Sequence, residues 1–335
     1  MLERYVSTIA ILLLLQSAVV AQETLSNQEL SKTLEDIALH NQKNFESIHT
    51  LSGKADVEVR RYENDNLVVL QKTEIFFAVD KKRDWRVTRN TQYENWKMEN
   101  GEKKISPCDI SGYLLKDEEV YWYYAANPNV GNPDVDPMNH ASVKGTIRLD
   151  KRDPLQHDVS SRISNFDPFR RIVPRISPAP SENMKSFAKF LATEPPPLPY
   201  SISQNGDLTT VIAEVTHGLS SVTNKYVFDV SKSCYLVEYW SSLNDIVGMD
   251  WKCEIEKIDG VWFPTLVTET ISNGKSVTQL KFSDVKINQD IADDYFTLQF
   301  LGVKQQDHLY DTRTKTASEI DDPAFPLPEY LKALE

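Results

Sequence analysis

Apolar and polar positions along this chain alternate, in run after run, with the period of two that marks strands having one dry and one wet face. Ala55, Val57 and Val59 fall on one side of such a run, and Lys54, Asp56, Glu58 and Arg60 on the other. Asn64-Asp65-Asn66 turns the chain into a second strand, Leu67 to Val79, and the charged stretch Asp80 to Asp84 turns it into a third beginning at Trp85. Shorter strands fit Asn95 to Met98, Lys103 to Ser106, Tyr113 to Leu115 and Val120 to Tyr124. The longest coherent stretch, Thr223 to Leu298, holds five runs of β-branched and aromatic residues separated by turn signals such as Asp259-Gly260 and Asn273-Gly274. It reads as a meander of antiparallel strands. Asn205-Gly206 predicts a hairpin joining Tyr200 to Gln204 with Leu208 to Val215.

Two segments break this period. Ser26-Asn-Gln-Glu29 is a capping box, and Leu30, Leu34, Ile37, Ala38, Phe45 and Ile48 follow at mostly helical spacing, which predicts an N-terminal amphipathic helix. From about residue 125 to 200 the chain is proline-rich: twelve of the seventeen prolines lie between Pro128 and Pro199, too dense for continuous sheet. Within that insert Ser181 can cap a short helix with Met184, Phe187 and Leu191 on one face, either a lid or simply a cover for sheet.

The first residues carry Arg4, an apolar run from Val6 to Leu15, and small residues before Gln22, the pattern of a secretory signal peptide over residues 1–21. The apolar run is shorter than a bilayer span prefers. The expectation is an exported chain, periplasmic or extracellular and not an integral membrane protein, with one domain over 22–302 and a C-terminal tail over 303–335. A formal net charge of −12 gives no field that would draw the chain to nucleic acid.

Chemistry is sparse. There is no Gly-x-Ser-x-Gly elbow, His-Glu-x-x-His, Cys-x-x-Cys or phosphate-binding glycine loop, so no catalytic residue, metal site or cofactor is assigned. Asp134-Val-Asp136 lacks the full ligand spacing of a calcium loop. Asp307-His308 has no nucleophile assignable beside it. Arg162, Arg170, Arg171 and Arg175 make the insert locally basic. Folding the chain about Ser242 to Asp245 sets Cys234 opposite Cys253, and also Leu236 opposite Trp251, Glu238 opposite Met249 and Trp240 opposite Val247. In an oxidising compartment that register allows a cross-strand disulfide; two small core residues are the alternative.

A set of segments then resembles the bacterial lipoprotein-carrier superfamily, in its LolA-like and LppX-like members. They are the signal peptide and opening helix, Ile48 to Val57, the meander, Asp259 to Pro264, and Phe282 to Phe296, with Asn288, Asp293, Phe296, Gly302 and Asp311 echoing the family's closing pattern. The resemblance implies a mainly β (α+β) fold, a strongly curved antiparallel half-open β-barrel closed over by helices. It implies a non-enzymatic carrier whose cavity takes a hydrophobic ligand or lipidated protein; the alternative is an envelope sensor or scaffold that binds a protein partner and keeps its cavity filled. An unclosed curved sheet must bury its inner face. Val57, Val59, Ile75, Phe77, Trp85, Trp122, Phe228, Leu236, Trp240, Trp251, Leu280 and Phe282 are the candidates for it. The long insert departs from the family's pattern.

Overall fold

The alternating runs become strands with few exceptions, because two-residue turns separate them where Asn and Asp accept positive φ. Asn64 and Asp65 sit at φ 48° and 63°, and Asn244 and Asp245 at 48° and 64°, the geometry of hairpin turns matched to strand twist. A computed structural model describes residues 32–33, 36–37, 39–40, 43–44, 46–117, 119–127, 145–151, 200–217, 220–272 and 274–320. The signal peptide, the lid candidates Met184, Phe187 and Leu191, and most of the proline-rich insert lie outside the described residues.

The first strands are β1 (Thr50–Glu63), β2 (Asn66–Asp80), β3 (Trp85–Glu99), β4 (Glu102–Ile105), β5 (Cys108–Lys116), β6 (Glu119–Asn127) and β7 (Thr146–Lys151). After the insert come β8 (Tyr200–Asn205), β9 (Leu208–His217), β10 (Ser220–Asp229), β11 (Tyr235–Leu243), β12 (Ile246–Ile258), β13 (Val261–Ile271) and β14 (Ser276–Ile287). Two short strands, β15 (His308–Asp311) and β16 (Thr316–Glu319), close the described chain. All belong to one open sheet ordered β16-β15-β7-β6-β5-β3-β2-β1-β14-β13-β12-β11-β10-β9-β8, with β4 beside β3. Every ladder is antiparallel except β7 with β15. The sequence reading left residues after Gly302 as a tail; instead β15 and β16 extend the sheet, β15 by parallel pairing with β7.

Two buried clusters lie on opposite faces of this sheet. The larger takes Ile75 and Phe77 of β2 with side chains of β1 and β8 to β14. The other takes Ala78 of β2 with Val87, Ile110, Leu114, Tyr121, Tyr123 and Ile147. Odd and even positions of one strand point to opposite faces, so β2 feeds both cores. Residues 75–80 are accordingly buried, or half-buried at Phe76, without a wet side. The second core is covered by Phe296, Leu298, Leu301 and Val303, from a 3-10 turn (Asp293–Phe296) and a four-residue helix (Leu298–Leu301).

The sheet bends. A flat sheet would hold alternate strands about 9.5 Å apart, yet β12 and β14 approach within 8 Å between Cα atoms across β13, as do β3 and β6 across β5. Register shifts in the β1/β14, β1/β2, β2/β3, β10/β11, β11/β12 and β12/β13 ladders supply the bulges that increase local coiling. The architecture is therefore mostly β, large, curved and unclosed. The predicted N-terminal helix and helical lid are not supported as elements. Before β1, only Lys32, Thr33, Asp36, Ile37, Leu39, His40, Lys43, Asn44 and Glu46 are described as helical.

Candidate functional site

Nine of the twelve inner-face candidates come together in the larger cluster. Val57, Ile75, Phe77, Phe228, Leu236, Trp251, Leu280 and Phe282 are buried there, and Val59 packs against it half-buried. Register places them: Ala55 pairs with Ile75 on one side and Phe282 on the other, and Val57 pairs with Leu280, which pairs with Val267. Phe77 and Phe282 stand on strands separated by β1, yet their ring centroids are 6.2 Å apart. They meet over Gly53, where a Cβ would lie 3.0 Å from the Phe77 ring. Phe263 then meets Phe282 edge-on at 5.4 Å.

The chain before β1 is fastened to this face. Ile37 and Ile48 join the cluster. Asn44 donates to the Trp262 carbonyl at 2.9 Å and accepts from its N–H at 3.2 Å, occupying both backbone groups of one residue. Asn288 sits at φ 57°, accepts from the His49 amide at 2.7 Å and donates to the Ser47 carbonyl at 2.8 Å. It locks the end of β14 to the start of β1.

Three candidates lie elsewhere, two on the other face and one too far along the sheet. The β11–β12 turn closes on Asn244-Asp245 alone, so Leu243 pairs with Ile246, and a bulge between Ser241 and Ser242 moves the register again. Tyr239 therefore faces Trp251 and Glu238 faces Lys252, in place of the expected Leu236 with Trp251 and Glu238 with Met249. An odd slip reverses a strand's faces, so Trp240, paired with Lys225 and Asp250, points away from the cluster. Leu236 returns to it because a second bulge skips Val237. Trp85 belongs to the opposite core, beneath the Arg83 guanidinium at 4.2 Å, with its indole N–H on Asp117 at 3.1 Å. Trp122 lies on the same face as the cluster but four strands from β1, tilted against Tyr113 at 6.0 Å.

The same slip removes the register that allowed a Cys234–Cys253 disulfide and leaves the alternative, two small core residues. Cys253 faces Val267 of β13, and Cys234 precedes β11 in a turn at φ 55°. Both are buried thiols outside any disulfide, as is Cys108. Burial pushes Cys234 up to about 11 and Cys253 up to about 12. Sequence reasoning also missed Tyr226, Tyr235 and Tyr239, which fill the cluster. Each has an apolar neighbour, Tyr235 on both sides, so the pattern of apolar positions does not assign them a face, and the bulges that orient them leave no mark in it.

The residues that echo the carrier superfamily's closing pattern have structural partners or burial. Asp293 pairs with Arg83, which also takes Asp80 at 2.7 Å. Phe296 is fully buried, and Gly302 ends the short helix at φ 99°, donating to the Gln299 carbonyl at 3.0 Å. Asp311 is buried against Arg313 at 2.7 Å. Asp307 is buried too, its carboxylate accepting the Gly145 amide at 2.6 Å and the Lys304 amide at 2.8 Å, while His308 is exposed. That carboxylate is occupied in tying β15 to the chain before β7. Among the described residues no group of His, Cys, Asp and Glu is placed to hold a metal ion, and no helix is long and apolar enough to cross a membrane.

No protein-family model matches the chain, and no curated protein matches it in sequence. Among solved structures it is similar to a putative outer membrane lipoprotein-sorting protein domain from Vibrio parahaemolyticus, at 9% identity and a TM-score of 0.37, covering 81% of this chain and 99% of the other. It is similar also to a DUF1329 family protein from Desulfovibrio piger, at 11% identity and a TM-score of 0.35 with the same coverage. A third, a β-barrel-like protein of a domain of unknown function from Brucella abortus, is 7% identical with a TM-score of 0.26, covering 72% of this chain and 99% of that one.

Proposed function

We propose that this is an exported binding or carrier protein for a hydrophobic ligand, a lipid, acyl chain or lipidated protein, and that it works without covalent chemistry. The observation that carries the proposal is the unbroken apolar face that runs across β8 to β14, β1 and β2 on an unclosed sheet. An open sheet gains no ladder closure from such a face, so its apolar area must be matched by a cover or a guest. Around the buried centre, Val59, Val237, Met249, Ile258, Trp262 and Val285 remain half-buried, a rim along which a long apolar chain can be taken up. Export is supported by the leader-like N-terminal pattern.

A second reading has its own support. Leu51 and Phe263 at the centre of the face are fully buried by the chain itself, as suits an envelope scaffold with a filled interior that binds a protein partner. Native mass spectrometry of the protein purified from its own envelope separates the two. Co-purifying lipid, displaced by a long-chain fluorescent fatty acid, is the result expected of a carrier. A lipid-free protein that takes up no such probe yet holds a stoichiometric protein partner would replace the carrier by the scaffold.

A further inference from the structure

From the carrier reading just given, and resting on it, we infer that the ligand is an amphiphile with an anionic headgroup, its apolar part on the larger cluster and its headgroup on an aromatic shelf formed by β5, β6, β7 and β15. Paired residues in neighbouring strands project to the same face. Following the pairs outward from the cluster, Phe77 leads to Thr88, Tyr113, Trp122, Arg148 and Tyr310 in one continuous row. Burial falls along it: Phe77 and Thr88 are buried, Tyr113 and Trp122 half-buried, Arg148 exposed, and Tyr310 41% exposed. A parallel row runs from Ile75 through Asn90 and Ser111 to Tyr124, which is 57% exposed. One face thus passes from dry aliphatic and aromatic packing to an exposed shelf of Trp, Tyr and Arg. That is the gradient of an amphiphile laid across strands.

The seam between the two regions supplies the second observation. Asn90 is 8% exposed, pairs with Ile75 of the apolar cluster, and its Oδ1 has no hydrogen-bond partner among the described residues. A buried acceptor left unmade is costly, and a hydroxyl or amide N–H at the junction of an acyl chain and its headgroup would satisfy it. Beyond the seam, aromatic side chains with polar tips suit the boundary between apolar chain and water, and a guanidinium presents a fork that fits phosphate or carboxylate. The opposite face is unavailable for this role, since the second core and its cover occupy it.

The test is titration of the full chain with lysophosphatidylglycerol, a long-chain fatty acid and an uncharged monoglyceride, followed by intrinsic tryptophan fluorescence. Trp122→Ala combined with Arg148→Gln is expected to weaken lysophosphatidylglycerol about tenfold, while the monoglyceride is weakened by less than half that factor. Equal loss with the fatty acid assigns the anion as a carboxylate or phosphate alike; loss with the phospholipid alone assigns phosphate. Asn90→Leu is expected to weaken lysophosphatidylglycerol and the monoglyceride, whose glycerol hydroxyls can donate to Oδ1, and to leave the ionised fatty acid unweakened, while raising the thermal midpoint of the free protein, a pairing of signs that simple damage to the fold would not produce. Wild-type affinity for lysophosphatidylglycerol retained in both variants overturns the headgroup site and leaves the carrier standing. No binding of any of the three by the wild-type chain overturns the carrier itself.

Discussion

Gly112 lies in the middle of β5, opposite Arg89 and Tyr123. A Cβ there would stand 2.4 Å from the Thr88 carbonyl oxygen and 3.1 Å from Leu301 Cδ2. The first contact is with backbone, which cannot retreat without moving β3. Gly112→Ala is expected to cost about 1–3 kcal/mol, read as a lower urea midpoint; an unchanged midpoint would mean that β3 and β5 can part at no cost. A glycine inside a strand is a legible sign of close backbone approach, but here it lies just before the run that the apolar pattern picks out, Tyr113 to Leu115. The cysteines make the same point about register. Burial holds Cys108 and Cys234 up at about 11 and Cys253 at about 12, so at mild alkaline pH all three are protonated and shielded. An aromatic disulfide reagent should react with none in the native chain and with three per chain in denaturant without reductant. One reacting thiol would restore the Cys234–Cys253 bond that the pairing of β11 with β12 excludes.

At the scale of elements, hairpins with Asn-Asp or Asp-Gly turns could be located from sequence because the turn residues mark them locally, although the loop length at Asn244-Asp245, and with it the register, was not legible. The strands β15 and β16 could not be located. Each has four residues, Thr316 to Glu319 is entirely small or polar, and β15 is held by parallel pairing with a strand far away in sequence. Part of what secures them is ionic: Arg313 donates to Asp311 at 2.7 Å and to Glu119, which also accepts from the Tyr121 hydroxyl. The hydrogen bonds from Arg313 hold the Asp311 carboxyl below its ordinary range despite burial. A depressed folded value contributes stability that is complete above the unfolded value of about 3.9 and is lost as pH falls through the folded one. Urea midpoints measured from pH 6 downward should therefore stay level until about pH 4 and then fall, and Asp311→Asn should flatten part of that fall while lowering the plateau. A fall of the same depth in the variant would place the acid sensitivity in other carboxylates.

For the molecule as a whole, the half-open barrel that the family resemblance implied had one buried face, and the structure has two on opposite sides. The crossing was written in β2, where Ile75-Phe-Phe-Ala-Val79 runs apolar without alternation, the pattern of a strand dry on both faces. Val57, Val59, Leu280 and Phe282 were legible for a different reason: around them β1 and β14 alternate cleanly. Trp85 and Trp240 were misplaced because the face a tryptophan takes depends on turn length and bulges, which the pattern of apolar positions does not record. The second core has a consequence for the segment after Gly302. Val303, Leu309 and Ile320 are buried in it, and Leu309 lies beside Ile147. If that core closes the sheet's other side, Leu309→Ala should cost about 2–5 kcal/mol, and a chain ended at Gly302 should bind more of an apolar-surface dye than the full chain does. A full-strength thermal midpoint in both would return these residues to the status of a tail. It would also mean that the face carrying Tyr121, Tyr123 and Ile147 stays dry by some other cover.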